Sequence, residues 1–405
     1  MIVEIIYFIL VFIGSYFVFL HLVLWFENKK IFLKNKKIKK LPSVSILIPA
    51  YNEENAIEKT IKNIFKINYP TNKLEILVID DGSKDRTYEI AKKYQSKNLK
   101  VFTKPNGGKA NTMNFGLRRA KNEFLVVMDA DSLPSKNALI NSMNYFSEDD
   151  VAAVTTRILP KKRNLWEKLQ LIELIFISFF RKLEEIPNII NVTPGPFSVY
   201  RKNILKKLGG FDEKNLVEDV EITWRLLSKG YKVRMAFDSR VRCLYPLSFR
   251  VWFKQRTRWG IGGIQTLSKY IKGLFRKSSH TVGSYLIPTN IIAHASAVLI
   301  ICMFIYVVGI EFFYFFLYIS KSISMGINPF SAFSLSYTLD LKIIYGLLMV
   351  PLFIAMIKLT LSAHKTKINP LLILLYMVVY APLYPLIWLN AVYKYLRKER
   401  GWLTK

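Results

Sequence analysis

Apolar and polar positions alternate along this chain on two different scales. Residues 2–26, "IVEIIYFILVFIGSYFVFLHLVLWF", are apolar almost throughout, and about 20 helical residues suffice to cross a bilayer. The run exceeds a signal-peptide core and lacks a small-residue cleavage site, so it predicts a retained N-terminal transmembrane helix over 1–28. From 41 to 240 the pattern changes to short apolar runs among amphipathic stretches. "SVSILIPA" (43–50), "LEILVID" (74–80), "LKVFTK" (99–104) and "EFLVVMDA" (123–130) read as buried strands next to helical patterns, which predicts an α/β domain with a mostly parallel sheet. Ligands of such sheets sit beyond the carboxyl ends of the strands.

The stretch 164–182 has an apolar centre too short to span and charged flanks. It predicts a helix lying in the membrane interface, with a core helix as the alternative. A second interfacial element is expected at 246–275, where aromatics mix with Arg and Lys. Three further apolar segments, 285–319, 341–358 and 370–393, make 285–394 a C-terminal transmembrane region. One span for each would leave the basic C-terminus "KYLRKERGWLTK" outside, against the positive-inside rule. Either 285–319 is not a simple span or the last segment is re-entrant.

Composition supports this division. Hydrophobic residues make up 51% of 405 residues, yet 59 Lys+Arg against 29 Asp+Glu give a net charge of +30. Apolar and charged residues must therefore be segregated, which excludes an ordinary soluble enzyme. Clusters such as "ENKKIFLKNKKIKK" abut the apolar runs, so anionic lipid is favoured over nucleic acid or an acidic small substrate as the partner of the charge. They also predict a multi-pass protein of the cell membrane with residues 41–240 on the cytoplasmic side. The two cysteines, Cys243 and Cys302, imply no disulfide framework.

Three acidic motifs sit where strands end or loops open. "VIDDGSKD" places Asp80 and Asp81 after a strand, before a turn at Gly82 and Ser83. An Asp-Gly turn of this kind also occurs for purely local reasons. "VVMDADS" places Asp129 and Asp131 after another strand; in an extended segment both carboxylates face one side, a pattern suited to Mg²⁺ or Mn²⁺ with a diphosphate. "LVEDVEITWRL" opens a helix with Glu218 and Asp219, as caps or as a general base. Between them "NGGKANTMN" supplies Lys109 after two glycines, without the spacing of a Walker A loop. His294 and Glu311 are ionisable residues within the 285–319 segment.

Taken in order, "PAYNEE", "DDGS", "GGKA", "DAD", "GPFSVYR", "ED" followed by "TWRL", and "QRTRW" resemble the membrane-embedded processive glycosyltransferases of family 2, the group of cellulose, chitin, hyaluronan and poly-N-acetylglucosamine synthases. The resemblance covers roughly 41–275 and implies a nucleotide-sugar transferase (GT-A-like) fold. By motif it assigns Tyr51, Glu53 and Asp80 or Asp81 to the uridine, Lys109 to the donor, and Asp129 and Asp131 to the ribose, diphosphate and metal. Asp219 would be the base that deprotonates the acceptor. Gly195 and Pro196 of "TPGPFSVYR", with Glu218, would face the acceptor. In "QRTRW", which begins at Gln255, Trp259 would stack on the terminal sugar and Arg258 neutralise the leaving diphosphate, with Arg256 undecided between lipid and substrate. The motif "VED" departs from the "TED" common in the group, since Val217 lacks a hydroxyl.

The implied activity is inverting transfer from a UDP-sugar, best matched by N-acetylglucosamine, into a β-linked polysaccharide passed across the membrane. Single-sugar transfer to a polyprenyl phosphate or lipid is the alternative enzyme. A non-catalytic basic membrane scaffold would have no use for three acidic motifs beside a basic cluster.

Overall fold

The computed structural model describes residues 2–32, 38, 40–161, 164–328 and 341–398. A long apolar helix, α1 (Ile2–Asn28), leads into β1 (Val44–Ala50), α2 (Ile57–Ile64), β2 (Leu74–Asp80), α3 (Thr87–Lys92), β3 (Leu99–Thr103), α4 (Lys109–Arg119) and β4 (Phe124–Val127). Then follow β5 (Leu133–Pro134), α5 (Ala138–Met143), β6 (Val151–Pro160), α6 (Leu165–Glu184), β7 (Ser198–Arg201), α7 (Lys202–Lys207), α8 (Glu218–Ser228), β8 (Lys232–Cys243) and α9 (Phe249–Tyr270). The chain ends in apolar helices α10 (Ile287–Ser324), α11 (Leu341–His364), α12 (Pro370–Leu375) and α13 (Leu383–Leu396).

All eight strands form one sheet in the order β3-β2-β1-β4-β7-β6-β8-β5. It is parallel from β3 through β4, as the repeated strand and helix pattern predicts; β7 then runs antiparallel to both β4 and β6. The sheet is therefore mixed, an α/β architecture of GT-A type. β1 is buried along its whole length because helices cover both faces. Its alternate side chains serve two cores: Ile46 and Ile48 pack with Val78 and Val126, while Leu47 packs with Leu77, Leu125 and Met113 of α4.

α6 starts at Asn164, whose side chain accepts from the Glu167 N–H. It does not stand alone at a surface. Phe179 and Leu183 pack with Leu22 of α1 and Met356 of α11, and Leu169 packs with Trp252 of α9, Tyr380 and Ile387. Three helical stretches among the described residues are long and apolar enough to cross a membrane: Val3–Asn28, Val282–Ser324 and Pro370–Leu396. The 285–319 segment lies in one continuous helix, since α10 runs 38 residues, about 57 Å. The last segment, by contrast, is interrupted by a π-helical turn at Tyr376–Tyr380 and by Pro382. His294 packs its ring 4.2 Å from that of Trp388. The side chain of Glu311 and the tail 399–405 lie outside the described residues.

Candidate active site

The carboxyl ends of β1 and β2 are stitched together by their loops. Asn52, at φ +53°, donates its N–H to Ser83 Oγ at 2.9 Å and accepts from the Lys84 N–H at 2.9 Å. Glu53 donates its N–H to Thr87 Oγ1 at 2.7 Å, while its carbonyl accepts from Ala56 and Ile57 as α2 begins. This leaves the ring of Tyr51 exposed on the rim.

Asp80 and Asp81 are both buried, with separate partners. Asp80 accepts from Thr103 Oγ1 at 2.8 Å and from the Ser83 N–H. Asp81 accepts from the N–H groups of Gly107 and Gly108 at 2.9 and 2.8 Å and pairs with Lys104, a residue the motif reading passed over. The Asp81 carboxylate thus fastens the glycine loop that starts α4. Gly82 is required at its turn: at φ +70°, an added Cβ would also lie 3.0 Å from the Asn106 nitrogen.

α4 opens with Lys109, whose Nζ lies 2.7 Å from Asp129 and 3.3 Å from Glu218. Burial opposes its charge, but Asp129 and then Glu218 and Asp219 hold it well above the usual lysine range. One position is corrected here. β4 ends at Val127, and Asp129 to Asp131 form a turn, with the Ser132 N–H donating to the Asp129 carbonyl at 3.1 Å. The motif therefore lies in a turn and not in an extended segment; the turn carries both residues past the sheet edge, with Asp129 paired to Lys109.

The loop 193–197 closes over this pair. A Cβ on Gly195 would lie 2.5 Å from Lys109 Nζ and 3.0 Å from Asp129 Oδ1, so a larger residue here would displace the Lys109 ammonium from its pair with Asp129. Pro196 follows, half-buried. The loop is tied to α8 by Thr193, which donates its N–H to Thr223 Oγ1 at 2.9 Å; Thr223 in turn donates to the Asp219 carbonyl at 2.6 Å.

Glu218 and Asp219 form the first turn of α8, where the helix dipole favours carboxylates. Burial and the neighbouring Glu218 nonetheless raise the Asp219 pKa to about 6, with Lys109 and Arg258 pulling the other way. That value suits a group that takes a proton near neutrality. α8 is bound to α9 by Glu221, fully buried, which accepts from Arg225, Lys269 and Tyr270.

α9 delivers "QRTRW" to the same place. Arg258 faces Asp219 electrostatically, and Trp259 is 37% exposed. Arg256 faces neither lipid nor substrate: it is 2% exposed and makes a two-point pair with Glu173 of α6, at 2.8 and 3.1 Å. Gln255 accepts from Arg256 at 2.5 Å, and Tyr380 and Tyr384 donate to Glu173. The Arg256 guanidinium also stacks 4.0 Å from the centre of the Trp259 ring. The signal for Glu173 was a lone carboxylate in the apolar run "LIELIF"; its partner, 83 residues away, carried none.

The glycines after the motif are contact points. Cβ atoms on Gly260 and Gly262 would lie 2.7 Å from Ala391 of α13 and 2.3 Å from Val217, respectively. Val217, the departure from "TED", thus packs its methyls on α9 just before the Glu218–Asp219 pair. Among the described residues, no group of three or more His, Cys, Asp or Glu side chains forms a metal cage. A hard cation here would bind Asp129 and Asp131 together with ligand oxygens.

Residues 45–209 match the sequence profile of glycosyl transferase family 2. Over 348 residues the chain is 30% identical to a probable glycosyltransferase, YdaM, of Bacillus subtilis strain 168, covering 82% of this chain and 77% of that protein. It is 29% identical over 268 residues to the poly-beta-1,6-N-acetyl-D-glucosamine synthase of Staphylococcus aureus strain MSSA476, where the match spans 64% of each chain. Among solved structures, the mannosyltransferase PcManGT from Pyrobaculum calidifontis, in complex with GDP-Man and Mn²⁺, superposes with a TM-score of 0.62 at 20% identity, over 98% of this chain and all of the other.

Proposed function

The chain belongs to glycosyl transferase family 2, and from that premise we propose that it polymerises N-acetylglucosamine from a UDP-linked donor into a β-linked polysaccharide, with inversion, and passes the product across the membrane. The observation that carries this reading is the convergence of Asp219 with Lys109, Asp129 and Arg258 beneath the Gly195 loop. The relative that makes poly-β-1,6-N-acetylglucosamine supports the choice of sugar.

In this mechanism Tyr51 and Glu53, with Asp80 and Asp81 behind them, border the nucleoside, and Lys109 binds the diphosphate. Asp129 and Asp131 hold Mg²⁺ or Mn²⁺, which offsets diphosphate charge when bound. Trp259, Gly195, Pro196 and Glu218 flank the terminal sugar of the acceptor. Asp219 takes the proton of its hydroxyl as that oxygen attacks C1 of the donor sugar; the C1–O bond to the diphosphate breaks, and Arg258 and Lys109 stabilise the departing charge. In this reading the catalytic domain faces the cytoplasm and the apolar helices span the cell membrane, an orientation supported by the basic residues after α1.

A second reading, transfer of a single sugar to a lipid-linked acceptor, draws on a cavity of about 430 Å³ between α1 and α6, which combines Phe17, Val18 and Phe180 with His21, Arg181 and Glu184. Purified protein incubated with Mn²⁺ or Mg²⁺ and a panel of nucleotide sugars tests both. Release of UDP from UDP-N-acetylglucosamine with a ladder of product masses supports polymerisation; a single addition supports the second reading; no nucleoside diphosphate from any donor refutes both.

A further inference from the structure

Away from the active site, β6 and β8 hold an arrangement that sugar transfer does not use. The strands pair in parallel as far as Thr156 and Ala236, then slip so that Arg157 stands opposite Arg240, with Phe237 to Ser239 looped out. Like charges directly opposite each other weaken a sheet. Arg157 is 4% exposed, its Nε has no hydrogen-bond partner among the described residues, and its guanidinium lies 4.7 Å from the centre of the Phe237 ring. Burial and Arg240 both disfavour its charge, and Asp238 at the bulge offsets part of this. A guanidinium does not shed its proton at physiological pH, so the cost stands until an anion meets it.

The surroundings say where such an anion comes from. The Phe237 ring also touches Phe32, just beyond α1, at 5.2 Å and His364, the last residue of α11, at 4.8 Å. His364 Nδ1 meets the Thr360 carbonyl at 2.9 Å, while Nε2 is buried without a partner among the described residues. That atom would be satisfied by a proton shared with a ligand oxygen. The unpartnered groups thus gather where α1, long and apolar enough to span, and the shorter apolar helix α11 both end, at the depth of lipid headgroups for a spanning α1.

We propose that Arg157, Arg240 and His364 form a binding site for a phosphate-type anion, supplied by the headgroup of an anionic phospholipid. The test uses the full chain in neutral detergent, with lipid adducts counted by native mass spectrometry and unfolding followed on heating, against phosphatidylglycerol, phosphatidylcholine and inorganic phosphate. Phosphatidylglycerol should be preferred and should raise the unfolding temperature. Arg157→Met and Arg240→Gln should each weaken that binding roughly tenfold. Without anionic lipid, Arg157→Met should be at least as stable as the parent chain, because an unpaired buried charge is gone. Should that variant fail to fold, Arg240→Gln at its exposed position decides alone. A preference for phosphatidylglycerol unchanged in the variants overturns the site. Inorganic phosphate stabilising as strongly as the lipid overturns the lipid source.

Discussion

Replacing Arg256 by methionine separates a substrate-binding arginine from a structural one. The change leaves Glu173 buried beside Tyr380 and Tyr384 without its cation. Removing one partner of a buried, hydrogen-bonded ion pair typically costs roughly 3–5 kcal/mol, so the variant should lose about that much stability. Pairing Arg256→Met with Glu173→Gln should recover most of the loss, because an amide oxygen still accepts from the tyrosines. Unfolding free energies, with donor affinity measured alongside, check this. A double variant that regains stability but loses donor binding would refute the structural assignment.

Asp219→Asn should abolish turnover while donor affinity survives, and parent activity should rise with pH through about 6 as the base ionises. Because the folded pKa of Asp219 is raised, ionising it costs stability as pH climbs from about 4 to 6; the same variant should therefore unfold at a higher temperature at pH 7, with the gain gone at pH 4. A flat pH profile would count against Asp219 as the base. Gly195→Ala forces a carbon against Lys109 Nζ and Asp129, so donor kcat/KM should fall at least tenfold in a chain that still folds, as read by turnover and circular dichroism. Gly262→Ala should cost roughly 1–3 kcal/mol by overpacking against Val217, and Val217→Ala in the same chain should restore most of it in thermal unfolding.

Much of the catalytic half was legible in the sequence because its signals are local. The runs at 43–50, 74–80 and 123–130 are mostly apolar because the strands at their centres are buried on both faces, and each is followed at once by a loop with polar or acidic side chains. The rest depends on partners distant in sequence. Arg256 looked available because Glu173 and Tyr384 are supplied by α6 and α13, and nothing in "QRTRW" announces them. The tie between Asp81 and the glycine loop was invisible because the N–H groups it accepts from belong to Gly107 and Gly108, and backbone donors leave no mark on composition. The turn at Asp129 was hidden because strand length is set by pairing, and β4 runs out of partners at Val127. Strand β6 also went unnoticed, its buried run broken by two threonines and Arg157, as did β8, whose arginines mask the alternation of buried residues around them.

The contact between Val217 and Gly262 bears on how this chain can drift over generations. A methyl of residue 217 occupies the space that a side chain at 262 would need, so the two positions are not free to vary independently. Threonine at 217 has the same branched outline as valine and should be interchangeable there provided its hydroxyl finds a partner. A larger residue at 262 should be tolerated only in lineages that first shrink 217 to alanine or glycine. Selection on shape at this junction, rather than on the hydroxyl, would leave its trace as paired changes at two sites 45 positions apart in the chain.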